Sequence, residues 1–452
     1  MQLTPADAQM SWIGRRIRND QFQLYCFSGT DGRSGPGDDG VAAARRHIGD
    51  RVDRIGELQV HAVPVPGDLD YPYWARRGQG PDQIRVHSLA DRSWAGFQRA
   101  LGDLLATSLD ITESPWQVHL FPAVTGAPRC SEPALVAVFQ VSHAFADGRR
   151  ASASARQLFG PGLPPGSPAP TRAPFAPAML ARAAAKIPGQ VAGTVSVARR
   201  SLAAQRAVRA AEAAGAVPPP ADGFPLTRVN TDPGPSRTAR MLVCDAARLT
   251  GAGVTVTVAA ATAISVALAR YLAEHGADIA ALGAEVTVAV PDPTGRSRNS
   301  YRNVGVGLFP EVADLRERAA RIAADLAERR RRLDDPNVAL AGGSVEYVPA
   351  RMLRRGIERY DLSAVPATVA GNTVISSVHR GAADLRLAGR RVRFTAGFPG
   401  LSPVMGLTHG VHGIGGTVTL GVLTGSRAMP DPDHYLELLD AAVDEVAGSL
   451  RG

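Results

Sequence analysis

His143, Asp147 and Gly148 stand in the stretch VFQVSHAFADGRRAS, residues 138–152, at a spacing suited to proton transfer. An alcohol hydroxyl is a poor nucleophile at neutral pH unless a base removes its proton as the new bond forms. An imidazole, with an ordinary pKa near 6.5, is the side chain fitted to that task, and a base so placed contributes roughly 10²–10⁴-fold to a rate. A histidine leaving a strand into a tight loop can turn its ring into a channel. Asp147 would then fix the loop by pairing with a donor or an arginine, of which Arg149 and Arg150 are nearest in sequence, and Gly148 would permit an unusual backbone. The same spacing also describes a structural histidine at the end of a strand, so the context decides.

Other chemistries lack their residues. There is no G-x-S-x-G turn for a serine nucleophile, and no G-x-G-x-x-G or G-x-x-x-x-G-K-[ST] loop for a dinucleotide or a triphosphate. The remaining histidines form no H-x-x-x-H or H-E-x-x-H set. His409 and His412 sit in a Gly-rich stretch without a carboxylate neighbour, so no metal is expected. Cys26, Cys130 and Cys244 are far apart in sequence and fit no C-x-x-C spacing, which suggests a reducing compartment and no disulfide framework.

The elements around the motif must position it. Residues 134–142, ALVAVFQVS, read as a buried strand, and a helix of about 149–159 follows the glycine. Trp94, Phe97, Leu101, Leu104 and Leu105 recur at helical spacing behind Ser93 as an N-cap. The second half reads as a helix near 257–274, a strand at 285–291, an Ala/Arg helix at 311–333, strands at 391–397 and 416–423, and a helix after the PDPD of 430–433. Such mixed elements without strict βαβ alternation predict an α/β sandwich in each domain.

At 452 residues the chain is too long for one ordinary core. A Pro/Gly/Ser run at 160–175 and VPPPADG at 217–223 divide it into a first lobe at 1–160, a linker at 161–225 and a second lobe at 226–452. The linker carries an Ala-rich helix over about 176–214, interrupted at Pro188-Gly189. Its cations are Arg182, Lys186, Arg199, Arg200, Arg206 and Arg209, against Glu212. That pattern reads as a solvated helix spanning two domains, or as a basic surface lying on anionic membrane.

The chain is 45% hydrophobic and 20% charged, as folded soluble domains are. Its 50 basic residues, Lys186 the only lysine among them, are interleaved with 42 acidic ones, which argues against a nucleic-acid surface. A positive surface better serves anionic lipid or a phosphate-bearing substrate such as coenzyme A. Asp7 and Arg15 come too early for a secretory signal, and the uncharged run 254–269 falls short of the roughly 20 residues that span a bilayer. The expectation is a cytoplasmic protein, with at most peripheral contact on the inner membrane face.

SHAFADG resembles the HHxxxDG signature of the superfamily of chloramphenicol acetyltransferase-like enzymes, peptide-synthetase condensation domains and the bacterial wax ester synthase/diacylglycerol acyltransferases. Further segments resemble the last family, in its order, along nearly the whole chain. They are MQLTPADAQMSW at the start, LDYPYWARRGQGPDQIRVHSL at 69–89 with Trp74 and His87, LDITESPWQVHLF at 109–121, GVTVTVAAATAISVALARYLAEHG from 253, AVPDPTGRSRNSYRNVGVGLFPEV from 289, and the tail from GNTVISSV to MPDPDHYLELLDAAVDEV.

The resemblance implies an α/β fold of two chloramphenicol acetyltransferase-like lobes with a central channel. Acyl-CoA, a co-substrate with no cofactor beside it, would enter on one side and a lipid alcohol on the other. The implied reaction moves a fatty acyl group to a hydroxyl of diacylglycerol or a long-chain alcohol, with contact at a membrane or lipid droplet. His143 matches the second histidine of the signature, the implied general base, while Asp147 is implied to be structural and Gly148 conformational. Ser142, Thr257 and Asn303 fall at positions implied to line or support the channel.

Four departures stand out: Ser142 replaces the first histidine, Thr257 and Val258 replace an ND pair, SSVHRG at 376–381 replaces SNVPGP, and Arg302 replaces the glycine before Asn303. They leave two other readings open, an acyltransferase or condensation-type enzyme acting on a specialised metabolite, and a non-catalytic lipid- or partner-binding relative.

Overall fold

The computed structural model describes residues 1–30, 38–77, 80–168, 170–251, 253–291 and 297–451. Part of the AVPDPTGRSRN segment, residues 292–296, therefore lies outside the described residues. Two six-stranded mixed sheets organise the chain. In the first, the strand Ala134–Val141 runs between Gln21–Thr30 and Trp116–Val124, antiparallel to both. Every one of its residues is buried, as expected of an uncharged run paired on both edges and covered on both faces.

The other neighbour of Gln21–Thr30 comes from the far half of the chain. Arg390–Phe398 pairs with it antiparallel, Phe22 opposite Phe398 and Leu24 opposite Ala396. RRVRFTAGF reads as a strand in sequence and is one, but the boundary at 226 assigns it to the second lobe, whereas the structure gives it to the first sheet. The second sheet runs in the order Tyr301–Gly307, Gly283–Ala289, Thr373–His379, Leu407–Ile414, Thr417–Thr424, Thr238–Asp245. The transferred strand also packs on this sheet. One apolar cluster accordingly joins Leu24 and Phe97 of the first half to Met241, Phe394, Ala396 and Leu423 of the second.

Glycines explain how closely the layers meet. A Cβ on Gly410 would lie 2.0 Å from the carbonyl oxygen of Gly397, so the two backbones can touch here only because residue 410 has no side chain. Leu407–Ile414 is a fully buried strand, although its glycines conceal it from a reading based on periodicity.

The linker helix, Ala176–Ala213, is continuous through Pro188 rather than interrupted. The proline removes one N–H bond, and water can serve the freed carbonyl on this exposed surface. The helix straps the lobes together. Lys186 Nζ meets Asp70 Oδ2 at 2.7 Å on the first, while Ser201 Oγ donates to the Ala341 carbonyl at 3.1 Å and Arg332 pairs with Glu212 at 2.6 Å on the second. Val256–Glu274 is the one described helix long and apolar enough to cross a membrane, and it lies instead within the second core, from Val258 through Leu272.

Two groupings join residues distant in sequence. Cys26 and Cys130, both free thiols, have their Sγ atoms 3.7 Å apart. Buried Asp20 accepts from Gln140 Nε2 at 2.8 Å, Gln140 Oε1 meets His119 Nε2 at 3.0 Å, and His119 Nδ1 meets His87 Nε2 at 3.0 Å.

Candidate functional site

The strand Ala134–Val141 ends at the seam between the sheets, and His143 follows two residues later at the wall of a cavity of about 560 Å³ lined by both halves of the chain. Gln21, Asp147, Gly148 and Arg149 line it from one side, and Ser300, Tyr301, Asn303, Ser376, Ser377, Arg380 and His412 from the other. This is the volume of a small-molecule site, roughly 300–1,000 Å³.

The imidazole is held from its Nδ1 side. Asn299 Oδ1 lies 3.2 Å from His143 Nδ1, and Asn299 Nδ2 donates to the His143 backbone carbonyl at 2.5 Å and to Asp7 Oδ1 at 3.2 Å. A carbonyl and a carboxylate both accept, so the amino end of the amide must face them and its oxygen must face the ring. His143 Nδ1 therefore carries the proton and donates to Asn299, leaving Nε2 bare to act as a base. Gln21 Nε2, 3.4 Å from Nδ1, gives its main bond to the Ala146 carbonyl. Burial lowers the His143 pKa below its ordinary value, while the Asn299 bond and the charge of Asp147 oppose the shift. The ring is thus neutral and able to accept a proton at pH 7.

Asp147 does its work on backbone. Its Oδ1 caps the helix Gly148–Phe159 by accepting from Arg150 N–H at 2.9 Å, and its Oδ2 accepts from Ser300 N–H at 3.1 Å. Of the two kinds of partner expected, a donor or an arginine, the carboxylate has two backbone amide donors, and the second of them ties the histidine loop to the segment carrying Asn299. Arg298 reinforces the tie: its carbonyl accepts from Asp147 N–H at 2.9 Å, its Nη1 donates to the Phe145 carbonyl at 3.0 Å, and its guanidinium lies over Phe145 and Trp74.

Gly148 does not use the unusual backbone that its sequence context suggests. It is the first residue of the helix and does not occupy the left-handed region; a Cβ there would make ordinary contacts with Gln21 Oε1 at 3.6 Å and Val378 Cγ2 at 3.9 Å. It lines the cavity at the N-terminus of that helix.

The other sequence candidates separate. Asn303 lines the cavity from an exposed position, with Nδ2 donating to Glu285 at 3.2 Å and Oδ1 accepting from Thr287 at 3.1 Å. Thr257 stands behind the wall and donates to Ser377 Oγ at 2.8 Å. Ser142 is buried outside the cavity, where its Oγ accepts from Ala144 N–H at 3.3 Å and shapes the turn. Of the two histidines in the Gly-rich stretch, His409 is locked between Thr373 and Tyr435 at 2.8 Å each, and His412 faces the cavity. Among the described residues no group of three or more His, Cys, Asp or Glu could hold a metal ion. Gln21, Asn299, Arg380 and His412 are the site residues that sequence reasoning missed.

Comparison with known proteins places this geometry. Residues 302–447 match the family model described as the WS/DGAT C-terminal domain. No curated protein matches the sequence. Among solved structures, the wax ester synthase/diacylglycerol acyltransferase from Marinobacter aquaeolei VT8 is similar with a TM-score of 0.65 and 18% identity, over 99% of this chain and 100% of that one. A mutant starter condensation domain of rhizomide synthetase RzmA in complex with C8-CoA is similar with a TM-score of 0.57 and 13% identity, over 99% and 95%. Another, in complex with C8-CoA and Leu-SNAC, gives 0.56 and 14%, over 100% and 95%. The likeness shows the two-lobed chloramphenicol acetyltransferase-like fold that the sequence resemblance implies.

Proposed function

We propose that this chain, which carries a WS/DGAT C-terminal domain at residues 302–447, is an acyl-CoA-dependent O-acyltransferase with His143 as its general base. The observation that carries the reading is the imidazole at the wall of a cavity between the lobes, with Nδ1 committed to Asn299 and Nε2 bare. Nε2 takes the proton of an acceptor hydroxyl as its oxygen attacks the thioester carbonyl. The tetrahedral intermediate collapses with cleavage of the C–S bond, and the imidazolium returns the proton to the departing thiolate. The products are an ester and free coenzyme A, and no cofactor enters the balance.

The exposed guanidinium groups of Arg18 and Arg149 on the cavity lining suit the phosphates of the donor. Long-chain alcohols and diacylglycerol are the first acceptors to test, with palmitoyl-CoA as donor and free thiol as the readout. Acceptor-dependent thiol release that His143→Ala reduces by about 10²–10⁴-fold, with thermal unfolding unchanged, is the expected result. An undiminished rate in that variant ends the proposal.

Peripheral membrane contact would use the linker helix. Leu180, Ile187, Val191, Val195 and Leu202 are all exposed and, at about 100° per residue, fall within an arc of about 80°, with exposed Arg199 and Arg206 at its edge. Sedimentation with phosphatidylglycerol vesicles, absent with phosphatidylcholine and lost on Val191→Glu, is expected. Equal partition to both vesicles would remove the helix from the account.

A further inference from the structure

We infer that Arg380 and His412 form an anion-binding end of this cavity, and that the acceptor hydroxyl belongs to a molecule that also bears a carboxylate. Calling that molecule the acceptor rests on the acyltransferase reading; the binding of an anion does not.

Arg380 directly follows the strand Thr373–His379 of the second-lobe wall, in the SSVHRG segment, where the resembling family has SNVPGP and no arginine. It is only 4% exposed, and Nη1 donates to Thr395 Oγ1 at 2.9 Å while the guanidinium lies 5.1 Å from the centre of the Tyr25 ring. Its Nε has no hydrogen-bond partner among the described residues. The carboxylate nearest in sequence, Asp384, is taken by Arg156 at 2.6 Å, and Arg156 Nη1 also donates to the Arg380 carbonyl at 3.0 Å. Two guanidinium groups thus share this corner with one carboxylate, and the buried one is without an acid.

His412 completes the wall at 5% exposure, with Nδ1 also lacking a partner. Burial and the charge of Arg380 hold its pKa far below the ordinary value, so the positive charge here belongs to Arg380 alone and the neutral ring has one N–H to offer. Gly397 makes room for both. A Cβ at that position would lie 2.6 Å from His412 Cε1 and 2.9 Å from Arg380 Nη2.

A guanidinium withdrawn from water with no acid partner is unfavourable unless an anion meets it, and one planar carboxylate answers its fork of donors. The exposed Arg18 and Arg149 remain for donor phosphates, while the interior position of Arg380 admits only a compact terminal group.

The test compares β-hydroxydecanoate and ω-hydroxydecanoate with their methyl esters and with decanol as acceptors for palmitoyl-CoA. At least one hydroxy acid is expected to exceed its ester in kcat/KM by about tenfold or more. Arg380→Met should erase that preference, raising KM for the hydroxy acid to that of its ester. Equal use of acid and ester by the unaltered protein overturns the proposal.

Calorimetric titration of the unaltered protein with decanoate, methyl decanoate and inorganic phosphate removes dependence on the variant's folding. Saturable binding of decanoate alone is expected. Binding of neither anion, or of phosphate in preference, overturns the carboxylate assignment. Decanoate binding without thiol release on any acceptor would refute the transferase reading and leave the anion site standing; transfer to decanol and esters but not to acids would do the reverse.

Discussion

Replacing Asn299 by alanine removes the acceptor that holds the His143 Nδ1 proton and the donor that holds the His143 carbonyl, while touching nothing that must contact substrate. A hydrogen bond from a neutral ring contributes about 0.5–1.5 kcal/mol and one from a charged ring about 1.5–3. The imidazole becomes an imidazolium as it takes the hydroxyl proton, so the difference, about 1–1.5 kcal/mol, acts on the transition state alone. At 1.4 kcal/mol per decade that is about 5- to 12-fold, and loss of the enforced tautomer adds about twofold, giving a kcat lowered roughly 10- to 25-fold. KM for donor and acceptor should stay within about twofold. The Asn299 bond favours the protonated ring, so its deletion lowers the His143 pKa further and moves the acid limb of the rate profile to lower pH. The assay is steady-state thiol release from acyl-CoA between pH 5 and pH 9 for both proteins. An unchanged kcat, an effect confined to KM, or an acid limb displaced upward would each refute the assignment of Asn299 as a positioning residue.

Asp147→Ala should act on stability before chemistry. Loss of the helix cap costs about 0.5–2 kcal/mol and an orphaned Ser300 N–H about 1–3, so urea unfolding should show a loss of roughly 2–4 kcal/mol; less than 0.5 would contradict the double backbone role. Asp20 is 6% exposed, and burial raises its pKa to about 6. A folded pKa above the unfolded one means that the native state binds the extra proton, so this contribution is fully present below about pH 4 and is lost as pH rises through 6, by about 3 kcal/mol for a two-unit shift. Asp20→Asn, whose single amide oxygen can accept from Leu109 N–H and Gln140 as Oδ2 does now, should flatten that part of the stability curve; parallel curves for the two proteins would contradict the cause given.

His143 and its strand were legible because an uncharged apolar run bounded by a polar turn has one obvious solution, and Ser93 and the helix Trp94–Leu105 followed from helical spacing and an N-cap. The partners of the histidine were not legible. Asn299 reaches it across 156 positions and Gln21 across 122, and a lone amide has no periodicity to betray it. Arg380 looked like one arginine among many until its burial and want of an acid set it apart. The strand Arg390–Phe398 announced its conformation but not its address, because alternation specifies a pleat and says nothing about which sheet receives it. Gly148 is legible as a position beside the histidine, but its helical backbone makes no use of the conformational freedom that glycine offers.

The strand donated by the far half bears on how the protein is made. While the chain emerges from a ribosome, Gln21–Thr30 can pair with Ala134–Val141 early, but its other edge stays open until residue 398 has been synthesised. Through more than half of translation the first sheet therefore presents the unpaired amides and carbonyls of a central strand, the kind of edge that recruits strands from other chains. The closing step joins residues more than 350 positions apart, as in Phe22 against Phe398, and such long-range pairing is slow. Nascent-chain fragments ending before 386 should thus need a holding chaperone, and the first lobe should not be obtainable as a separate soluble piece.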